Sequence, residues 1–180
     1  MNSYAVFLRG INVGGINIRM AELGDALASA GFEGVGTLLA SGNVVLASGD
    51  EPDAVKRKVE KCLRDAFGYD AWVVVLTAQR LAELVAACPY PEDNKEMHTY
   101  ITLSSDTARL DELDAAGAAL DSAEQKRLGP EALAWLAPVG GTLDSPFSKI
   151  SAKAKFKSST TTRNLRTLVK VRDAAAALAP

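Results

Sequence analysis

Apolar positions come in two rhythms along this chain, and the alternation between them predicts its elements. Tyr4-Ala5-Val6-Phe7-Leu8 is a short continuous apolar run of the kind that makes a buried strand, so β structure is expected over about residues 3–9. Met20, Leu23, Ala26, Leu27 and Ala30 recur at helical spacing, and Gly31 closes that helix. Val35 to Ala40 and Val44 to Ala47 read as strands, and Ser41-Gly42-Asn43 between them makes a hairpin. Asp50 reads as the cap of the next helix, with Pro52 in its first turn, Val55, Val59, Leu63 and Phe67 on one face and Gly68 as its stop. Trp72 to Leu76 is a further strand. The order β-α-β-β-α-β over residues 3–77 is that of a ferredoxin-like lobe.

The remainder repeats the rhythm more faintly. A helix is expected from about Thr77 to Ala87, ended by Pro89 and Pro91. A strand over Thr99 to Leu103, an alanine-rich helix over Thr107 to Leu120 and a hairpin about Gly129-Pro130 follow. A short helix near Ser148 to Lys153 and a last helix beginning near Thr161–Arg163 complete the chain. The fold class is therefore α+β: two ferredoxin-like lobes with antiparallel sheets, residues 1–77 and 78–180, the second carrying a basic helical C-terminus.

Interrupting the first lobe is Arg9-Gly10-Ile11-Asn12-Val13-Gly14-Gly15-Ile16-Asn17, a loop whose glycines call for unusual backbone angles or close approach to a ligand. Backbone N–H groups exposed at Gly14 and Gly15 could cradle an anion, with Arg9 adding a planar bidentate donor and Asn12 a polar side chain. The alternative is a strained connection with Arg9 in an internal ion pair. The loop is neither a Walker A loop, since no Gly-Lys-Ser/Thr follows, nor the Gly-x-Gly-x-x-Gly dinucleotide fingerprint. Ser41 and Asn43 join such a site only if their turn reaches the Arg9 loop; a tight turn alone explains Gly42 and Asn43. Thr161-Thr162-Arg163-Asn164 reads as a helix start capped by a threonine. A cation in that first turn opposes the helix dipole, which points Arg163, with Asn164, toward an external anion or a buried carboxylate.

Charge changes the picture at one end. The chain has 180 residues, a net charge of -2 and a pI of about 5.5. Residues 147–180 nevertheless hold 8 of the 20 basic residues and one of the 22 acidic ones. Lys149, Lys153, Lys155, Lys157, Arg163, Arg166, Lys170 and Arg172 could neutralise phosphates, so nucleic acid is the alternative partner through segment 149–172. Base stacking on the first strand is not favoured, because Tyr4 and Phe7 face opposite sides. The acidic remainder also argues against nonspecific binding.

His98, the single histidine, has no nucleophile motif beside it and is read as a strand end. Cys62 and Cys88 sit on helical patterns, form no disulfide framework and read as packing residues. No His/Cys/Asp cluster has metal-ligand spacing, and no cofactor is expected. No acid/base pair stands out, so whether the chain is an enzyme stays open. With neither a signal-peptide pattern nor a run near the roughly 18 apolar residues of a membrane span, the expectation is a cytoplasmic protein without membrane attachment.

Arg9 to Gly15, Ser41-Gly42-Asn43-Val44 and Thr161 to Asn164, in this order and at these separations, resemble the bacterial family known as domain of unknown function 1697. The resemblance spans nearly the whole chain and implies a two-lobed α+β fold without an assigned activity. The chain departs from it at Ala40 and Leu165, where members often carry a polar and an aromatic residue respectively.

Overall fold

A computed structural model describes residues 1–11, 16–68, 70–92, 94–120, 124–156 and 158–178. The chain divides into two compact units, Met1–Ala82 with Lys170–Pro180, and Glu83–Val169.

The first unit contains β1 (Asn2–Arg9), α1 (Met20–Ser29), β2 (Glu33–Leu38), β3 (Asn43–Ser48), α2 (Pro52–Phe67) and β4 (Trp72–Thr77). Its antiparallel sheet has the order β2-β3-β1-β4. Alternation along β1 sends Tyr4, Val6 and Leu8 toward the helices, where they meet Leu23 and Leu27 of α1 and Val55, Val59 and Leu63 of α2. Ala5, Phe7 and Arg9 occupy the opposite face. Tyr4 and Phe7 are both fully buried, so β1 offers no exposed ring for base stacking. Asp50 is not the cap of α2: Glu51 holds the cap position without a side-chain bond, Pro52 opens the helix, and the Asp50 carbonyl accepts the Tyr4 hydroxyl at 2.6 Å. At the other end Gly68, at φ 66°, closes the helix through its N–H to the Arg64 carbonyl.

After α3 (Ala78–Ala87) the second unit runs β5 (Met97–Ser104), α4 (Thr107–Ala118), β6 (Gln125–Gly129), β7 (Ala132–Pro138), α5 (Pro146–Ser151), a single 3-10 turn at Ala154–Phe156, and β8 (Thr160–Asn164). The sheet order β6-β7-β5-β8 is that of the first sheet, strand for strand. Leu110 and Leu113 of α4 and Phe147 of α5 pack against Leu133 and Trp135 of β7. The chain ends in α6 (Leu165–Ala177).

A second expectation is overturned as well. Thr160–Asn164 is a strand, not the start of the last helix, and it pairs antiparallel with β5 in the register Thr102↔Thr162 and Ile101↔Arg163. Threonine is both a helix cap and a β-branched strand former. Here the open edge of β5 gave the run three consecutive threonines' worth of pairing, and the tertiary term won. The same change completes the second lobe as β-α-β-β-α-β.

Candidate functional site

Arg9 marks the end of β1, where the candidate site of the first unit begins. Arg9, the last residue of the strand, is opposite Trp72, the first of β4, in the antiparallel register. Directly opposed residues share a face, with Cβ atoms about 4.5–5.5 Å apart. Val73 packs on the helix side, so Trp72 and Arg9 both lie on the other face. Trp72 is 39% exposed, a large ring left in water at the mouth of this position. Arg9 is partly buried, and that burial lowers its pKa from the ordinary guanidinium value.

On the other side of β1 stands the β2–β3 turn. The Leu8 N–H donates to the Gly42 carbonyl at 2.8 Å, one residue before Arg9. Gly42 has φ 76°, and a Cβ there would lie 2.6 Å from Ile11 Cδ1 and 2.9 Å from Leu8 Cβ. The turn therefore rests directly on the start of the Arg9 loop. Asn43 is fully buried, and its side-chain amide donates to the Leu38 carbonyl at 2.9 Å and to Ser41 Oγ at 3.0 Å. Asn43 thus clamps the turn, while exposed Ser41 reaches water. Leu39 in the same turn takes φ 58°, a left-handed angle unusual for leucine, and is 49% exposed. Arg9, Ser41 and Asn43 therefore lie at the same end of the sheet. Asn12, Gly14 and Gly15 lie outside the described residues.

Arg163 and Asn164 belong to the second unit. Because Arg163 is in β8, the dipole argument for it no longer applies. It is 8% exposed, on the sheet face turned away from α4 and α5, and its Nη1 donates to Thr161 Oγ1 at 2.7 Å and to the Thr162 carbonyl at 2.9 Å. Capping falls to Asn164 instead: its Oδ1 accepts the Arg166 N–H at 2.8 Å at the start of α6.

The described basic residues of the segment are distributed over several elements. Lys149 lies in α5, Arg163 is buried in β8, and Arg166, Lys170 and Arg172 are on α6. Lys155 pairs with Glu112 at 2.9 Å and stands 4.9 Å over the Phe156 ring, and Arg172 pairs with Asp173. Lys157 lies outside the described residues. His98 is near the start of β5, edge-on to Tyr100 at 6.3 Å. Burial raises both cysteine thiols above their ordinary pKa, and Cys62 donates to the Ala26 carbonyl at 3.3 Å.

Two features carry no signal in the sequence. Trp72 opens an apolar run, Trp72-Val73-Val74-Val75-Leu76, in which nothing distinguishes it from a core residue. The second is a cleft of about 390 Å³ in the second unit, whose lining includes Met97, Leu136, Pro138, Phe147, Glu124 and Asp144. Its parts are scattered along the sequence, so no local pattern announces it. Among the described residues no three His, Cys, Asp or Glu side chains are grouped to hold a metal ion, and no described helix is long and apolar enough to cross a membrane.

Comparison with known proteins adds the fold and the family. The chain is similar to the solved structure of a conserved bacterial protein, SP0830 from Streptococcus pneumoniae, with TM-score 0.80 and 22% identity over 97% of this chain and 98% of that one. At that identity the likeness concerns the fold. No curated protein matches the sequence. A family's sequence model matches residues 1–133, which carry the Arg9 loop and the Ser41-Gly42-Asn43 turn: the chain belongs to the family described as protein of unknown function (DUF1697).

Proposed function

We propose that the first unit binds a small anionic ligand, bearing a phosphate or carboxylate, at the end of β1. The observation that carries this reading is the setting of Arg9. A guanidinium stays charged near neutral pH even when burial lowers its pKa. Partly withdrawn from water, it attracts an anion more strongly than a fully solvated cation does. The flanking groups suit a ligand: Ser41 offers a hydroxyl, and exposed Trp72 offers a ring on which a planar portion, such as a nucleobase, can stack. Asn12, Gly14 and Gly15 enter by composition, as side-chain and backbone donors. Arg163 and Asn164, in this reading, hold β8 and α6 rather than the ligand.

The test is a thermal-melt screen of the full chain against inorganic phosphate, nucleotides, sugar phosphates and dicarboxylates. Ligand at 100 times its dissociation constant adds about 2.7 kcal/mol, which raises the midpoint of a chain this size by roughly 5–10 °C. The expected result is a shift with one anion class that is lost in Arg9→Gln and reduced for ring-bearing anions in Trp72→Ala. No shift with any of these anions, or an unchanged shift in Arg9→Gln, overturns the reading.

A further inference from the structure

We propose that the cleft of the second unit is a separate binding site for an organic cation, a protonated amine carried on an apolar arm. Its volume of about 390 Å³ falls within the range of small-molecule pockets. The lining is mostly apolar, with Met97, Leu136 and Pro138 as walls and Phe147 as floor. The floor is fixed from behind, because Phe147 lies 4.8 Å from the Trp135 ring, and Trp135 stacks on Tyr100 at 4.9 Å. A rigid apolar surface of this kind takes a hydrophobic group without having to reorganise.

Charge decides the other half of the ligand. Among the described residues, Glu124 and Asp144 both line the cleft, no lysine or arginine does, and neither carboxylate has an ion-pair partner. The charge on Glu124 is felt locally: after burial, it is the next cause raising the Tyr90 phenol. Two carboxylates above an apolar floor complement a cation with a hydrophobic tail and repel an anionic one. A divalent metal is the poorer fit, since no third metal-ligating side chain joins the two among the described residues. The site involves none of the residues assigned to the anion at the end of β1.

The experiment compares three probes of one shape on the full chain: phenethylamine, the neutral 2-phenylethanol and the anionic 3-phenylpropionate. Binding is read by NMR from the methyl groups of Met97, Leu136 and Leu120, which also lines the cleft, with Arg9→Gln measured alongside. The expected result is the order amine, then alcohol, then acid, with shifts at those methyls and no change in Arg9→Gln. Glu124→Gln and Asp144→Asn together weaken the amine by roughly fivefold or more and leave the alcohol unaffected. Both residues are exposed, so the fold tolerates the change, and each single variant gives a smaller loss in the same direction. Equal binding of amine and alcohol, shifts confined to other methyls, absence of amine binding, or unaltered amine affinity in the double variant each overturns the proposal.

Discussion

Gly10 and Gly42 sit at nearly the same backbone angle, φ 77° and 76°, yet only one is enclosed. A Cβ at Gly10 meets nothing within 4 Å, whereas one at Gly42 collides with Ile11 and Leu8. Gly10→Ala is expected to cost about 1–2 kcal/mol for the left-handed angle alone. Gly42→Ala adds an overpacking cost of about 1–3 kcal/mol. Urea unfolding of the two variants separates angle from contact; equal losses would mean the turn does not rest on the loop as described. Gly117, inside α4, reverses the usual helix rule. Alanine there gains about 1 kcal/mol of propensity. Its Cβ, however, meets the Gln125 side-chain oxygen and lies 2.7 Å from Phe147 Cε2. A net destabilisation is expected in the same assay, together with a disturbed cleft floor. The thiols make a further case. Raised pKa values keep less thiolate at Cys62 and Cys88, so both are expected to react with iodoacetamide at pH 8 more slowly than a free cysteine and to speed up only at higher pH.

Single elements show where local pattern is enough and where it is not. The helices of the first lobe were legible because Val55, Val59 and Leu63 repeat at one spacing and Gly68 offers an unambiguous stop. Strand β8 was not, because Thr160 to Asn164 fits a helix start equally well until the free edge of β5 is known. The residues of the first candidate site were visible as letters, but their meeting depends on strand register. Only the pairing Arg9↔Trp72 and the bond from Leu8 to Gly42 bring the loop, the ring and the turn to one end. Strands β7, β5 and β8 of the second sheet are tied by side chains too. Trp135 Nε1 donates to Thr102 Oγ1 at 3.0 Å, and Thr102 Oγ1 lies 2.8 Å from Thr162 Oγ1. Thr102→Val keeps the shape and removes the tie. It leaves the buried Trp135 Nε1–H without its acceptor, so a loss of about 1–3 kcal/mol is expected, with a changed emission from Trp135. A Thr102→Val variant as stable as the parent would make the tie incidental.

At the scale of the whole molecule the chain uses one plan twice, with sheet orders β2-β3-β1-β4 and β6-β7-β5-β8. The repetition is topological rather than literal, since burial asks only for alternation and helical spacing, and many residue choices satisfy those. The units are not simply consecutive, however. The first includes residues from Lys170 onward, with Val171 and Ala175 fully buried. A Cβ at Gly34 in β2 would lie 3.1 Å from Leu178 Cδ2. Truncation after Val169 is therefore expected to loosen β2, far upstream in the sequence, as faster amide exchange at Glu33 to Leu38. Unchanged exchange there would show that the last turns of α6 add nothing to the first lobe.

That returning segment sets an order of events on the ribosome. The first lobe's strands are made early, but part of its packing is not synthesised until residues 83–169 have been translated. At about 5–20 residues per second the wait is roughly 4–17 s. During it, the nascent first lobe lacks the residues from Lys170 onward, among them the buried Val171 and Ala175. Of the two lobes, the one whose strands are made first is completed after the other.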